Sequence, residues 1–365
     1  MSSVLDLTKQ LITVPSTKDT PDKLKEVLEI AKKELEGFTI EEFEKDGVPS
    51  LLAYAGEKRP ERFKIILNAH LDVVPGREEQ YAPVEQEGKL WGRGVSDMKG
   101  AAAAEILVFK NLAKTLDYPL GLQLVTDEEV GGYNGTGYQI QQGVRADFAI
   151  AGEPTDYGVN TKAKGIVWAK IKATGKTAHG AYPWRGVNAL GKIKEVLDRL
   201  EKDYPVPLQE EWKTTVNVAK IYTPNETFNK IPDSAELWLD IRYIPEDPHF
   251  YSKTEDRKLV TQRYFDSILP EGVTLDIAEN DSPQFTDENN VFVQSLSNAT
   301  KQVTGNLSPI IVKHGASDIR IFNEAGCDGV TFGPISGGLH TDEEWASIAS
   351  LEEYYHILET FLKNL

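Results

Sequence analysis

The feature that most constrains the fold of this chain is a short apolar strand pattern that ends in ionisable side chains and recurs along the sequence. The run Phe63–Leu67 is apolar and is followed by Asn68-Ala69-His70-Leu71-Asp72, with the turn residues Pro75 and Gly76 just beyond. Such a run predicts a buried strand that a turn ends. Polar groups that can carry chemistry therefore stand where this strand stops.

His70 and Asp72 are two residues apart, so an extended backbone places both on one face. A carboxylate beside an imidazole can hold the tautomer and orientation that metal binding needs. A lone His-x-Asp is, however, more typical of a buried structural histidine. The metal interpretation depends on the rest of the chain.

The same pattern recurs at two later strands, which predicts one shared site. The apolar run Leu122–Val125 precedes Glu128 and Glu129, and Phe148–Ala151 precedes Glu153. Consecutive carboxylates after a strand usually form a solvated turn, but the apolar flanks favour burial here. Because strands alternate with helices, we predict an α/β fold with a mostly parallel sheet, and ligands bind beyond the carboxyl ends of such strands.

A glycine-rich segment, Trp91–Gly100, lies between the first two of these strands. It does not fit the phosphate-loop or dinucleotide-binding fingerprints. It leads into a predicted helix over Ala101–Leu112, which places Asp97 near the start of that helix. A helix-capping role is the simple alternative for this aspartate.

From about Gly165 the pattern changes to strand, helix, two strands, helix and strand. This β-α-β-β-α-β order predicts a ferredoxin-like domain inserted into the α/β domain. We therefore assign residues 1–163 and 281–365 to a metal-binding catalytic domain, and residues 164–280 to an inserted lid or dimerisation domain.

Composition excludes several classes of protein. The net charge of −17 argues against binding to nucleic acid or an anionic membrane, both of which need basic patches. The single Cys327 excludes an internal disulfide framework, and neither a membrane span nor a signal peptide is apparent. We expect a cytoplasmic protein.

Six side chains would meet if the strand ends converge with the glycine-rich segment and the late loop 337–343. They are His70, Asp97, Glu128, Glu129, Glu153 and His340. Four carboxylates this close repel one another unless positive charge compensates them. Two divalent metal ions supply that charge, and mixed imidazole and carboxylate ligands suit zinc, with cobalt or manganese as alternatives. A carboxylate that is not a ligand can act as a base.

The sequence resembles the metallopeptidase and amidohydrolase family of acetylornithine deacetylase, succinyl-diaminopimelate desuccinylase, aminoacylase and carboxypeptidase G. The resemblance runs nearly end to end. Five ordered motifs carry it: Asn68-Ala69-His70-Leu71-Asp72-Val73-Val74-Pro75, Gly94-Val95-Ser96-Asp97-Met98-Lys99-Gly100, Thr126-Asp127-Glu128-Glu129-Val130-Gly131, Gly152-Glu153-Pro154-Thr155 and Leu339-His340.

The resemblance implies a role for each residue at the strand ends. One metal would be held by His70, Asp97 and Glu153, and the other by Asp97, Glu129 and His340. Asp97 would bridge the two metals, Asp72 would orient His70, and Glu128 would be the general base. The peptide bond after the bridging aspartate is often cis in relatives, so we expect this of Asp97–Met98.

In the inserted domain, the resemblance assigns an oxyanion-binding role to His179 and substrate contacts to Asn229 and Arg242. Gly315 matches a substrate-side loop. A strand-surface ion pair remains the alternative for Arg242, and a turn position the alternative for Asn229.

The predicted activity is hydrolysis of the amide bond of an N-acyl amino acid, of the acetylornithine deacetylase or succinyl-diaminopimelate desuccinylase type. A dipeptidase or carboxypeptidase acting on small peptides is the alternative. A non-catalytic metal-binding or scaffold protein is an alternative of another class, but it would not need Glu128. The resemblance also implies a homodimer that pairs through the inserted domain.

Overall fold

The computed structural model describes residues 3–365, which form two compact units. Of these residues, the first unit comprises 3–162, 285–312 and 317–365, and the second comprises 163–284 and 313–316. The sequence placed the turn at 313–316, which contains Gly315, in the catalytic domain, whereas it clusters with the second unit. No helix in residues 3–365 is long and apolar enough to cross a membrane.

The helices, in chain order, are α1 Val4–Ile12, α2 Pro21–Glu34, α3 Gly100–Leu112, α4 Thr136–Gln141, α5 Ala189–Asp203, α6 Arg257–Ile268, α7 Val291–Thr304, α8 Ile319–Glu324 and α9 Ile348–Lys363. The strands are β1 Thr39–Lys45, β2 Val48–Tyr54, β3 Phe63–His70, β4 Val84–Gln86, β5 Lys89–Trp91, β6 Leu120–Val125, β7 Ala146–Ala151, β8 Val159–Ala163, β9 Gly165–Thr174, β10 Thr215–Tyr222, β11 Ser234–Tyr243, β12 Val273–Asp281, β13 Gln284–Phe285, β14 Ile310–Lys313, β15 Asp328–Thr331, β16 Ser336–Gly337 and β17 Trp345–Ser347.

A large sheet forms the centre of the first unit, with the strand order β1-β2-β6-β3-β7-β15-β8-β13 and β14 beside β8. Its central strands β6, β3, β7 and β15 are parallel, and antiparallel strands extend it on both sides. The α/β fold class that the sequence predicted is confirmed. Because the central strands are parallel, their carboxyl ends lie along the same edge of the sheet.

The register of the strands determines how close the residues that follow β3, β6 and β7 lie to one another. His70, the last residue of β3, pairs with Val125, the last residue of β6. On the other side of β3, Asn68 pairs with Ala151, the last residue of β7. The segments that begin after Val125 and Ala151 therefore leave the sheet on either side of His70.

Helix α3 is the buried support beneath this edge. Its first turns are Ala-rich and fully buried, and it packs against β3, α1 and α9. Small side chains allow this close approach, while the longer side chains from Ile106 to Phe109 fill the surrounding core. The helix thus fixes the position of the segment that precedes it, which contains Asp97.

A small antiparallel sheet, with the order β16-β17-β5-β4, also belongs to the first unit. The sequence did not predict it. Trp345 of β17 pairs with Trp91 of β5, and Ala346 pairs with Leu90. This register holds the end of the late histidine loop beside the start of the glycine-rich segment.

The second unit contains a four-stranded antiparallel sheet with the order β10-β11-β9-β12, and α5 and α6 pack on it. Burial alternates along β9 and β11, so Val167, Ile171 and Leu239 face the helices. This is the ferredoxin-like arrangement expected from the β-α-β-β-α-β order.

Candidate metal centre

Asp97 lies at the middle of the candidate site and faces a different histidine with each of its carboxylate oxygens. Its Oδ1 is 2.8 Å from Nε2 of His70, and its Oδ2 is 3.2 Å from Nε2 of His340. A carboxylate in this position can bridge two metal ions. The helix-capping alternative is wrong, because the N-cap of α3 is Lys99 and Asp97 has a non-helical backbone.

Six side chains at the site form two groups of three that could each hold a metal ion, and Asp97 belongs to the second group. His70, Glu128 and Glu153 present one ligand atom each within 4.8 Å of one another, and Asp97, Glu129 and His340 do the same. Within the first group, Nε2 of His70 is 3.6 Å from Oε1 of Glu153. Within the second, Nε2 of His340 is 3.2 Å from Oε2 of Glu129.

The separations of 3.2 and 3.6 Å are close to those between ligands of one metal ion, whereas the 2.8 Å between Asp97 and His70 is that of a direct hydrogen bond. Ligand atoms at about 2.0–2.2 Å from a tetrahedral zinc ion lie roughly 3.3–3.6 Å from one another. The other oxygen of Glu129, Oε1, is buried and has no hydrogen-bond partner among residues 3–365. A buried carboxylate oxygen with no donor is costly unless a cation satisfies it. The side chains in these two groups therefore fit a pair of divalent ions.

The tautomer of His70 also suits a ligand. Its Nδ1 lies 3.0 Å from the carbonyl oxygen of Asp72, to which it donates when Nε2 carries the free lone pair. The carboxylate of Asp72 accepts instead from the backbone N–H groups of Glu128 and Glu129, at 3.3 and 3.0 Å. Asp72 thus orients His70 mainly through its backbone, and it fixes the turn that carries Glu128.

The segment around Asp97 is shaped by its neighbours. Gly94 has φ +83°, and a Cβ there would lie 2.5 Å from Cγ1 of Val73, so only glycine fits. The Asp97–Met98 peptide bond is cis, as expected. The ammonium of the buried Lys99 donates to the carbonyl oxygens of Leu11 and Val14, which ties this segment to the end of α1.

Electrostatics keep Asp97 ionised and His340 protonated when no metal is present. Burial alone would raise the pKa of Asp97, but hydrogen bonds from His340 and His70 lower it overall. The carboxylates of Asp97 and Glu129 raise the pKa of His340 to about 10. Burial and the neighbouring charge of Glu153 raise the pKa of Glu128 well above its usual range.

Metal binding is therefore expected to release a proton from His340. Only the neutral imidazole is a ligand, and the raised pKa keeps the imidazolium up to about pH 10. Affinity at this group should therefore rise by about tenfold for each unit of increasing pH below that value. Calorimetric titration at pH 7 in buffers of different ionisation enthalpy measures the released protons.

The control is His356→Gln, since His356 is exposed on α9 and paired with Glu359. It should release as many protons as the parent protein, whereas His340→Ala should release fewer. An affinity that does not change with pH would contradict the expectation.

The predicted substrate-side residues all lie in the second unit. His179 is exposed, and its Nδ1 accepts from the N–H of Ala181. Asn229 lies in the adjacent loop, where its carbonyl oxygen accepts from the N–H of Gly180 at 2.7 Å. Gly315 is in the turn after β14, with open space around its Cα.

Arg242 forms the ion pair that the sequence left open as its alternative role. Its Nε donates to Oδ1 of Asp240 at 2.9 Å and its Nη2 to Oδ2 at 3.4 Å, both on β11. A role in substrate binding stays a prediction for Arg242, as it does for Asn229 and Gly315.

Three buried acidic residues around the site were not assigned roles from the sequence. Glu344 accepts from several backbone N–H groups of the Asp97 segment. Asp127 accepts from the N–H of Asn134, and Asp318 accepts from the hydroxyl of Thr136. Asp127 and Glu344 stand in acidic runs that are typical of solvated turns, so no signal in the sequence separates them from surface residues.

Fold and site together define a metal-dependent hydrolase of the α/β class. The chain belongs to peptidase family M20/M25/M40, whose family model matches residues 66–364. The resemblance noted from the sequence is thereby confirmed, and the chain is a metal-dependent amidohydrolase.

Individual relatives span almost the whole chain. The succinyl-diaminopimelate desuccinylase of a Nitratiruptor species is 28% identical over 381 residues, covering 99% of each chain. The aminopeptidase PepT of Bacillus cereus ATCC 10987 superposes with a TM-score of 0.77 at 17% identity, covering 99% of this chain and 97% of that one. The Bacillus subtilis YXEP protein, described as a dinuclear metal-binding peptidase, gives a TM-score of 0.70 at 13% identity, covering 98% and 96%.

Proposed function

We propose that the protein hydrolyses the amide bond of an N-acyl amino acid, with an N-succinyl amino acid as the preferred class. The observation that carries the proposal is the carboxylate of Asp97, which faces His70 with one oxygen and His340 with the other. The full-length similarity to a succinyl-diaminopimelate desuccinylase supports the choice of acyl group.

His70, Asp97 and Glu153 would hold one metal ion, and Asp97, Glu129 and His340 the other. When bound, such a pair supplies Lewis acidity toward the substrate carbonyl and compensates the charge of the clustered carboxylates. Zinc is the proposed metal, because the donors are mixed imidazole nitrogens and carboxylate oxygens.

Glu128 is the proposed general base. It is half-buried beside His70 and Glu153, on a turn that the carboxylate of Asp72 holds in place. In the metal-free protein burial raises its pKa; as the base it would take up a proton from water as the water attacks the amide carbon. The same carboxyl then delivers that proton to the leaving amine. A metal-binding or scaffold protein would have no use for this group.

Assays of metal-loaded protein on matched N-acetyl, N-succinyl and dipeptide substrates test the proposal. The expected result is the highest kcat/KM on an N-succinyl amino acid. A higher value on dipeptides would favour the peptidase alternative, and no hydrolysis of any of the three would overturn the proposal. Arg242 is proposed to bind the free carboxylate of the substrate, because a planar guanidinium suits bidentate carboxylate binding. A substrate in which an amide replaces this carboxylate should then bind more weakly.

We also propose that the second unit is a lid and dimerisation domain. Strand β10 lies at an edge of its sheet and leaves Val218, Ile221 and Tyr222 exposed. An edge strand offers unpaired backbone groups to a second copy of the chain. The cytoplasmic location stays a prediction.

His179→Ala is expected to lower kcat by about 10²–10³-fold, because it removes a donor to the oxyanion of the tetrahedral intermediate. Both metal ions should stay bound. His249→Ala is the matched control: His249 is exposed in the same unit and pairs with Tyr204, so its loss should leave kcat unchanged.

Mixed dimers show whether His179 serves the partner chain. Subunits carrying His179→Ala and Glu128→Gln, each inactive alone, should regain activity when they exchange. Proven heterodimers that stay inactive would place His179 within its own chain or outside the reaction.

A further inference from the structure

The buried carboxylate of Glu344 accepts hydrogen bonds from several backbone N–H groups of the segment that leads into Asp97. Its Oε1 accepts from the N–H of Ser96 at 2.9 Å and from that of Asp97 at 3.2 Å. Its Oε2 accepts from the N–H of Gly94 at 3.0 Å and from Nη1 of Arg93 at 2.7 Å. Glu344 is only 2% exposed.

The backbone of Glu344 is held as firmly as its side chain. Its carbonyl oxygen accepts from the N–H of Gly92, and the next residue, Trp345, pairs with Trp91 in the small sheet. Strand pairing therefore fixes the backbone next to Glu344 and the backbone just before the Asp97 segment.

Glu344 is also the fourth residue after His340, at the end of the loop that carries this histidine. That loop is closed by a hydrogen bond from the N–H of Thr341 to the carbonyl oxygen of Gly338. Its far end is fixed at Glu344. The side chain of Glu344 thus connects the segment that contains Asp97 to the loop that contains His340. Asp97 and His340 belong to the same candidate metal-binding group.

We propose that Glu344 is a positioning residue that sets the distance between Asp97 and His340, and with it the affinity of the group formed by Asp97, Glu129 and His340. It is not one of the proposed metal ligands. It acts through the backbone, since three N–H groups on one carboxylate leave the Asp97 segment little freedom to move. The group of His70 and Glu153 depends on it less, because neither residue lies on the His340 loop.

This inference rests on the proposed two-metal site, so its test has one arm that needs no metal. In Glu344→Gln the amide nitrogen of the new side chain cannot accept, and at least one of the three N–H groups loses its partner. Hydrogen exchange across residues 93–99 of the metal-free protein should then become about tenfold faster or more. Exchange in α9 should change much less.

The second arm measures stepwise metal binding by competition with a chromophoric chelator. We expect one of the two binding steps to weaken by about 10–100-fold, as is typical when a group behind a metal ligand is changed. The other step should move little. Tyr157→Phe is the matched control, because it removes hydrogen bonds to Ser350 and Glu353 in the same unit without changing the Asp97 segment.

Faster local exchange together with the loss of one binding step supports the proposal. Unchanged exchange across 93–99, or equal weakening of both steps in Glu344→Gln and Tyr157→Phe alike, overturns it. A third result is possible: Glu344→Gln exchanges faster across 93–99, but neither it nor the parent protein binds metal. This result would reject the two-metal site and would still support the role of Glu344 in holding the backbone.

If Glu344→Gln does not fold, Glu344→Asp is the alternative variant. It keeps the negative charge, but its side chain is one methylene shorter, so we again expect faster exchange across 93–99 and weaker binding in one step. If neither folds, the parent protein decides. Amides of Gly94, Ser96 and Asp97 that are protected without metal support the proposal, and amides that exchange at unfolded-chain rates overturn it.

Discussion

Glu128→Gln is expected to abolish most turnover while both metal ions stay bound. The change removes the proposed base but preserves the shape of the side chain, and general base catalysis typically contributes about 10²–10⁴-fold. The backbone of Glu128 donates to Asp72 and is unaffected by the substitution. Single-turnover kinetics and metal analysis on the same preparation measure the two effects.

The neighbouring residue provides the contrast for this experiment. Glu129 is one residue away, but its Oε2 faces His340 as part of the other group. Glu129→Gln should therefore lose metal as well as activity, whereas Glu128→Gln should lose activity alone. A Glu128→Gln protein with near-normal turnover would mean that another group is the base.

Asp97→Asn is expected to weaken both metal sites at once. It removes the charge that the two groups share, and only one side-chain oxygen remains to face two histidines. The loss of affinity at each site should exceed the roughly 10–100-fold typical of changes behind a ligand. Metal analysis after dialysis should then find well under one ion per chain.

Two histidine variants show how the loss of a ligand to one metal ion differs from the loss of a ligand shared by both. His70→Ala and His340→Ala should each weaken mainly one binding step. If Asp97→Asn weakened only one step, the bridging role of this carboxylate would be wrong.

The convergence at the sheet edge could be predicted because it follows from the chain direction of parallel strands. Three apolar runs each ended in an ionisable residue, and a parallel sheet must bring such ends together. His70, Glu129 and Glu153 were found in this way. Asp97 entered the set only on the supposition that the glycine-rich segment converges with the strand ends, and its bridging role came from the family resemblance.

Contacts between distant segments could not be predicted in the same way. Glu344 is bonded to residues about 250 positions earlier in the chain, through a small sheet whose strands are only two or three residues long. Strands this short leave no periodic pattern. Arg242 differs, because its partner Asp240 is only two residues away and the pair could be predicted from the sequence. This ion pair does not show whether Arg242 also binds a substrate.

Helix α1 was missed for a different reason. Its buried residues Val4, Leu7 and Leu11 follow the three- and four-residue spacing of an amphipathic helix, and Ser3 caps it. The spacing is visible in the sequence, although no helix was predicted there. Its end is held by Lys99, so this helix supports the candidate site.

In the proposed site, one carboxylate, that of Asp97, is shared by two metal ions. Anomalous diffraction from crystals of the metal-loaded protein at the absorption edge of the bound metal tests it most directly. We expect two peaks about 3.5–4 Å apart, each about 2.0–2.2 Å from a different oxygen of Asp97. A single peak, or two peaks that do not both contact Asp97, would contradict it.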